Sequence, residues 1–219
     1  MVIVGVGVLC WAFVVWKWED PFTSVYTGLE QRQLRSELAA LNSTPPPAVA
    51  VSASSGEALL LVRREARRLR ADAAPGSAIG RLRVPRLGLS IVVVDGTDTS
   101  SLKRGPGLDG RTYMPGEGRL IYVAGHRTTF GAPFSAIDTL QAGDRVTLEM
   151  PYGRFTYVVQ RHRIVDASDL SVLESGAGEE IALQACHPRF FATQRYIVWA
   201  VPEKPARLGG RTVAVPTAA

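Results

Sequence analysis

Residues 181–201 contain two apolar runs, IALQA and YIVWAV, separated by a short polar connection. Runs of aliphatic and aromatic residues of this length predict β-strands, and a short connection predicts that the two strands pair as antiparallel neighbours. The first run ends at Cys186, and the second begins just after Arg195. The hairpin therefore predicts a thiol and a guanidinium side by side at one end of a sheet, where a permanent cation would suit a thiolate nucleophile.

Short strand-like segments also precede this hairpin and are separated by turn residues. Because no long helical spacers lie between them, the pattern predicts a mostly-β domain over 79–204, built as an antiparallel sheet that closes into a barrel or sandwich. The segments are IGRLRVPRL, LSIVVVDG, RLIYVAG and DRVTLEMPYGRFTYVVQRHRIV.

Residues 1–18 are predicted to be a membrane anchor. Residues 2–16 carry no charge, and Trp16, Lys17 and Trp18 stand at the end of this run as an interfacial belt would. The run is shorter than the roughly 20 residues that span a bilayer core, so a buried core helix remains an alternative. With an anchor, the chain would be a single-pass protein of the cell membrane whose folded domain is extracytoplasmic, although charge alone leaves the orientation open.

Between the anchor and the barrel we predict a stalk helix over 19–41, a disordered linker over 42–56 and a basic helix or linker over 57–78. The linker is rich in Pro, Ser and Ala, and residues 205–219 are predicted to form a flexible tail. The apolar positions that place one face on the stalk helix are Tyr26, Leu29, Leu34, Leu38 and Leu41.

The net charge of +5 is confined to one segment. Eight arginines and three acidic residues lie between Glu57 and Arg86, and the rest of the chain is balanced. This distribution argues against a nucleic-acid partner. The basic helix is either a solvated surface or a site of attraction for anionic lipid or cell-wall polymer.

The chain has two cysteines, and Cys10 lies in the predicted anchor. Cys186 is therefore the single thiol of the folded domain, where it has no disulfide partner and no second Cys for a zinc site. No metal or other cofactor is predicted. Ca²⁺ modulation is not predicted either, because Asp166, Asp169 and Glu174 are spread over a loop. Cys186 is either a buried structural cysteine or a nucleophile.

A nucleophilic Cys needs a partner for proton transfer, and the chain has three histidines. His187 follows Cys186 directly, and neighbours on a strand point to opposite faces. His162 lies between two arginines on a segment that is predicted to be exposed. His126 follows an apolar strand and is the remaining candidate for the acid or base.

Two motifs resemble those of the sortases, the membrane-anchored cysteine transpeptidases of Gram-positive bacteria. They are AGHRTTFGAPF (residues 124–134) and ALQACHPRFFATQR (residues 182–195), and their form is most similar to class E sortases of actinobacteria. The resemblance implies an eight-stranded sortase-type β-barrel with short helices, whose active site lies at one end of the last two long strands. An N-terminal anchor followed by a linker also fits the family.

The resemblance also implies roles. Cys186 would attack the Thr–Gly carbonyl of an LPxTG-like or LAxTG-like signal at the C-terminus of a surface protein and form a thioester. His126 would move protons, and Arg195 would hold the substrate and the oxyanion. The acceptor would be an amine of the peptidoglycan precursor lipid II. Residues expected near the substrate or oxyanion are Leu183, Ala185, His187, Arg127 and Thr128.

One departure from the family pattern concerns the residue before the nucleophile. The usual TLxTC becomes ALQAC, so that Ala185 lacks a hydroxyl. Loss of one donor from an oxyanion site can cost on the order of 10²-fold in rate. Two alternatives therefore stay beside the cell-wall transpeptidase: a sortase that polymerises pilins through a Lys amine, and a membrane-tethered scaffold that has lost catalysis.

Overall fold

The structure is a computed structural model, and it describes residues 3–7, 11, 21–43, 55–203, 206–208 and 211–213. Residues 3–7 are helical. Most of the predicted anchor and of the predicted linker lies outside the described residues. Among the residues that are described, no helix combines the length and the apolar character needed to cross a bilayer.

Eight strands close into a barrel, as predicted. The sheet order is β6-β5-β1-β2-β3-β4-β7-β8, and β8 pairs with β6 to close the ring. A short hairpin, β9 and β10, extends from β6 within the stretch predicted to be a flexible tail. The strands are β1 (Ala78–Val84), β2 (Leu89–Asp95), β3 (Gly107–Leu108), β4 (Leu120–Ala124), β5 (Arg145–Met150), β6 (Gly153–Asp166), β7 (Glu180–His187), β8 (Gln194–Pro202), β9 (Ala206–Leu208) and β10 (Arg211–Val213).

The barrel is not wholly antiparallel, which corrects the sequence prediction. β2 pairs with β3 in parallel, and β4 pairs with β7 in parallel over five residue pairs. After β4 the chain forms the long β5–β6 hairpin. It then returns as β7, which pairs with the edge of β4 opposite the edge that pairs with β3. Strand periodicity specifies which residues share a face, but it carries no information about strand direction.

Side chains alternate between two apolar layers. The inner layer fills the barrel and includes Ile121, Leu148 and Leu183, each 1% exposed or less. A smaller outer layer contains Tyr122 and Trp199, and it is covered by the connection between β6 and β7. Three 3₁₀ turns complete the barrel, at Pro85–Leu87, Ile137–Thr139 and Leu170–Leu173.

The helix predicted to be a stalk packs against the barrel instead. Helix α1 (Pro21–Ser43) buries Leu34 and Leu38 against β1 and β2. Gln31 is also buried, and its side chain donates to Val92 O and accepts from Val92 N. Hydropathy predicted Leu34 and Leu38 but missed Gln31, because a polar side chain is buried here only by its hydrogen bonds to strand backbone. Tyr26, Leu29 and Leu41, which were expected on the apolar face, are exposed.

Helix α2 (Ser55–Asp72) belongs to the same folded unit. Its Ala58, Val62 and Ala66 join the main core, and Arg70 pairs with Glu117 on the barrel. Part of the basic face predicted for 57–78 is therefore bound to protein. A third helix, α3 (Thr99–Arg104), follows β2. Asp98 caps it by accepting hydrogen bonds from the backbone N–H groups of Ser100 and Ser101.

Candidate active site

The parallel pairing of β4 with β7 brings His126 next to Cys186. Ala124 is aligned with Gln184, and Gly125 N donates to Gln184 O at 3.0 Å. His126 lies two residues after Ala124, and Cys186 lies two residues after Gln184. Cys186 shares the outer face of β7 with Gln184, and His126, just past the end of β4, lines the same pocket.

Arg195 faces Cys186 across the antiparallel β7–β8 pair, as the sequence predicted. Directly opposed residues lie on the same face of a sheet. The guanidinium is held by the chain that precedes it, because Nη1 donates to Ala192 O at 2.7 Å and to Gln194 O at 2.9 Å. The thiol and the guanidinium come from β7 and β8, and the imidazole comes from the loop that follows the adjacent strand β4.

These three side chains line one pocket of about 280 Å³. It opens on the outer face of β4, β7 and β8 beside the 3₁₀ turn at Leu170–Leu173, so the site lies outside the barrel interior. Alternation along the strands could have predicted the lining residues Tyr122 and Gln184. Residues that come from loops carried no such signal in the sequence: Thr97, Asp109, Arg111, Ala167 and Asp169.

His126 is in a partly desolvated position. Its ring lies 5.0 Å from the Phe130 ring, measured between centroids, with 37° between the planes. Within the described part of the chain, the buried Nε2 atom has no hydrogen-bond partner. Burial lowers the pKa of His126 below its ordinary value of 6.5, since the imidazolium loses hydration. At neutral pH the ring is an uncharged base with one free polar atom.

Charges of both signs surround this base. Asp109 and Arg111 form a two-point ion pair, with Nη2 to Oδ2 at 2.7 Å and Nε to Oδ1 at 2.9 Å. Burial pushes the pKa of Asp109 upward, but the hydrogen bonds from Arg111 outweigh it and the net shift is downward. Hydrogen bonds from Ser171 lower the pKa of Asp169. The pocket wall thus presents fixed carboxylates as well as Arg195.

The family model for the sortase domain matches residues 82–203, which is more than half of the chain. The chain belongs to the sortase family. It is 34% identical to sortase D of Bacillus subtilis over 128 residues, covering 57% of this chain and 63% of the relative. It is 31% identical to sortase SrtE1 of Streptomyces coelicolor over 153 residues, covering 62% of this chain and 44% of the relative. The chain therefore spans less than two thirds of either curated relative.

Solved sortase structures share the barrel. A Clostridium perfringens sortase D5 transpeptidase superposes with a TM-score of 0.63 at 22% identity, covering 80% of this chain and 98% of that one. Sortase E1 of Streptomyces coelicolor, solved with a tripeptide in its active site, gives a TM-score of 0.57 at 30% identity and covers 62% and 93% of the two chains. The first likeness supports the fold. The second also has an identity comparable to that of the curated relatives.

A buried arginine backs the sortase pocket on the opposite face of the strands. Arg127, with its side chain 4% exposed, pairs with Asp138 at 2.8 Å and lies over the Tyr196 ring. Its Nη1 also contacts His187 Nδ1 at 3.0 Å and, more weakly, Cys186 O at 3.4 Å. An arginine only donates, so the Nδ1 atom of His187 accepts. Arg127 and His187 therefore tie together the two segments that carry His126 and Cys186.

The remaining residues predicted to lie near the substrate do not line the pocket. Leu183 and Ala185 are buried in the barrel core at 1% and 0% exposure, because they alternate with Gln184 and Cys186 along β7. Thr128 is half-buried in the loop after His126. Leu183, Ala185 and Thr128 therefore lie near the pocket in sequence without lining it, and their expected place near the substrate stays a prediction.

Backbone strain concentrates around the site. Among the described residues, four that are not glycine have φ in the left-handed region: Phe130, Ala132, Phe190 and Ala192. Two lie in the loop after His126, and two lie in the β7–β8 loop between Cys186 and Arg195. Such residues cost on the order of 1–3 kcal/mol each, and they persist where the surroundings hold them.

No group of three or more His, Cys, Asp or Glu side chains is placed to hold a metal ion in the part of the chain that is described. Asp166 and Asp169 instead accept hydrogen bonds from Ser168 and Ser171 in the β6–β7 connection. Their arrangement is that of local turn caps.

Proposed function

We propose that the protein is a cysteine transpeptidase that cleaves a sorting signal between Thr and Gly through a thioester and transfers the new C-terminus to an amine. The observation that carries this proposal is the convergence of Cys186, His126 and Arg195 on one pocket. Nucleophilic catalysis needs a nucleophile beside a base, and acyl transfer needs donors for the developing oxyanion. The pocket offers all three.

In the first half-reaction, Cys186 Sγ attacks the Thr carbonyl carbon of the signal. His126 takes the thiol proton and passes it to the Gly nitrogen, so that the C–N bond breaks and the tail leaves as an amine. The product is a thioester between Sγ and the Thr carbonyl. An imidazole that is neutral at rest suits this shuttle, since it must first accept a proton.

In the second half-reaction, an acceptor amine attacks the thioester. His126 removes a proton from the attacking nitrogen and returns one to the departing sulfur, which restores the resting pair. Arg195 stabilises the oxyanion in both halves, because a guanidinium keeps its charge and its planar donors throughout. Its hold on the carbonyls of Ala192 and Gln194 keeps it in place between steps.

The signal, the acceptor and the class are proposed from the two active-site motifs. Their similarity to class E sortases supports an LAxTG-like or LPxTG-like signal on surface proteins, with a lipid II amine as acceptor. The same similarity and the uncharged run at residues 2–16 support a single-pass protein of the cell membrane with an extracytoplasmic barrel. The identities to a sortase D and to sortase SrtE1 are similar, so the class rests on the motifs.

The scaffold alternative rests on Ala185, and the position of that residue weakens it. The Ala185 methyl packs in the core, on the face of β7 opposite Cys186. A hydroxyl there would not point into the pocket that holds the thiol. The ALQAC sequence therefore gives no reason to expect a missing donor, and we favour an active enzyme.

The test uses the full chain and two peptides, LAxTG and LPxTG, each with a reporter on the C-terminal side of Gly. We expect release of the tail, a covalent adduct on Cys186 that hydroxylamine removes, and formation of a new amide when an amine is added. Cys186→Ala should lose at least about 10³-fold in rate. His162→Ala, which alters an exposed histidine on β6, is the matched control and should retain activity.

Each outcome is informative. Equal tail release by the unaltered protein and by Cys186→Ala would rule out the proposed cysteine transpeptidase activity. A thioester that is resolved only by a Lys side chain of a pilin-like protein, and not by peptidoglycan-type amines, would favour the polymerising alternative. Preference between the two peptides would decide the signal.

A further inference from the structure

The N-terminal turn of helix α1 reaches the loop that carries His126. Thr23 Oγ1 accepts a hydrogen bond from Phe130 N at 2.8 Å. The ring of Tyr26 meets the Phe130 ring edge-on, with 6.3 Å between centroids. One helical turn of α1 therefore contacts a residue four positions after the histidine, although the two segments lie more than a hundred residues apart in sequence.

Phe130 connects this helix to the imidazole. One side of its ring faces Tyr26, and the ring also packs on His126 at 5.0 Å. Its backbone has φ of 51°, which is unfavourable for a bulky side chain. The hydrogen bond to Thr23 is one of the contacts that hold the strained residue, because it fixes the Phe130 N–H directly.

The helix itself is fixed independently of the loop. Leu34 and Leu38 are buried against β1 and β2, and Gln31 hydrogen-bonds to Val92 in both directions. Farther along, Arg104 of α3 pairs with Glu30 at 2.7 Å and with Glu37 at 3.1 Å. Helix α1 is thus a rigid support whose first turn extends to the active-site loop.

We infer that Thr23 and Phe130 are positioning residues, through which helix α1 holds the His126 ring in line with Cys186. Neither residue lines the pocket, so each acts through the histidine. The inference rests on the proposed function for the role of His126. It makes the helix that precedes the barrel a working part of the active site.

The expected effect lies in the chemical step. Misplacing a catalytic group by about 1 Å can cost on the order of 10²-fold in rate, whereas substrate binding along the pocket wall is unaffected. Thr23→Val keeps the shape and removes the acceptor, so we expect kcat to fall by about 2- to 10-fold with KM unchanged. Thr23→Ser should restore kcat. Phe130→Ala should lower kcat by about 10- to 100-fold.

A second readout follows the histidine directly. Removing the Phe130 ring admits water to His126, so the pKa of His126 should rise toward its ordinary value in a ¹H NMR titration. Lys103 lies 5.9 Å above the Phe130 ring, and its contact with the ring is lost in Phe130→Ala but kept in the Thr23 variants. The other charged and titratable groups that share the pocket with His126 are unaltered: Cys186, Arg195, Asp109, Arg111, Asp169 and Tyr122.

Leu38→Ala is the matched control, since it weakens the docking of the same helix at its far end. It should lower the melting temperature without changing kcat of the folded protein or the His126 resonance. If Thr23→Val and Leu38→Ala have the same kcat, or if Thr23→Ser fails to recover it, the positioning role is wrong. Should Phe130→Ala fail to fold, the Thr23 series still decides.

Failure of the proposed function is distinguishable from failure of this inference. A wild-type chain that forms no thioester on Cys186 overturns the proposed function. In that case the His126 resonance still reports position, because Thr23→Val should shift it and Leu38→Ala should not. A wild-type chain that is active while Thr23→Val leaves both kcat and the resonance unchanged overturns only the inference.

Discussion

The two faces of strand β7 differ in role, although their residues alternate along the same strand: one face packs in the core and the other lines the pocket. Leu183 and Ala185 point into the barrel and are almost completely buried. Gln184 and Cys186 point outward and line the pocket. The period of two in a strand therefore separates the residues that hold the barrel together from those that can meet a substrate.

This separation decides how the departure from the family pattern should be understood. From the sequence, Ala185 is one residue from the nucleophile and looks like a lost catalytic donor. In the structure the Ala185 side chain lies on the face of β7 opposite the Cys186 sulfur. On a strand, the residue next to a catalytic residue faces away from the site, whereas the residue two positions away faces it. Substitutions on the inner face should therefore change stability, and substitutions on the outer face should change activity.

The largest expected effect is on the outer face. His126→Ala should reduce kcat by about 10²- to 10⁴-fold, because no other histidine lines the pocket among the described residues. Stability should be nearly unchanged or slightly improved, since the variant removes a buried Nε2 that lacks a partner. Peptide cleavage and thermal unfolding, measured on the same sample, check both. A large drop in melting temperature would contradict the division between the faces.

The next effect is on the inner face. Leu183→Ala should lower the free energy of unfolding by about 2–5 kcal/mol, because it leaves a cavity in a side-chain position that is 1% exposed. Below its melting temperature, kcat should stay close to that of the parent chain. Urea denaturation and peptide cleavage provide the two readouts. A loss of kcat in a fully folded sample would indicate that Leu183 influences the pocket after all.

A smaller effect is expected for Ala185→Thr, which restores the usual family residue. The added atoms enter a site with no exposed surface, so overpacking should cost about 1–3 kcal/mol of stability. We expect no gain in kcat, because the hydroxyl faces the core. A gain approaching 10²-fold would show that Ala185 is a lost donor and would revive the impaired-enzyme interpretation.

The smallest expected effect is a shift of the acid limb in the pH profile of kcat/KM. Protonation of His126 removes the base of the proposed mechanism, so kcat/KM should fall on the acid side. Burial lowers the pKa of His126 in the folded protein, so this limb should lie below pH 6.5. The same shift stabilises the fold fully above pH 6.5, and that contribution is lost as pH falls through the folded-state pKa. An acid limb at or above 6.5 would contradict the burial of the ring.

Three candidate side chains chosen from the sequence share one pocket in the structure. The hairpin pattern placed Cys186 opposite Arg195, and elimination among three histidines selected His126, which the structure brings to the same pocket. The sequence pattern did not predict that β4 and β7 run parallel, because side-chain periodicity is the same for either strand direction. The loop residues Asp109 and Asp169 were also missed, since their place in the pocket depends on how separate connections fold over the sheet.

Local pattern by itself determined the strands and the three candidate side chains of the site, and the motif resemblance added the eight-stranded barrel. Tertiary structure decided which residues face the pocket, that Ala185 is a core residue, and that helix α1 docks on the barrel and contacts the loop after His126. The physical reason is that strand and helix periods are local properties of the chain. Strand direction, helix docking and burial of polar groups such as Gln31 depend on partners that lie far away in the sequence.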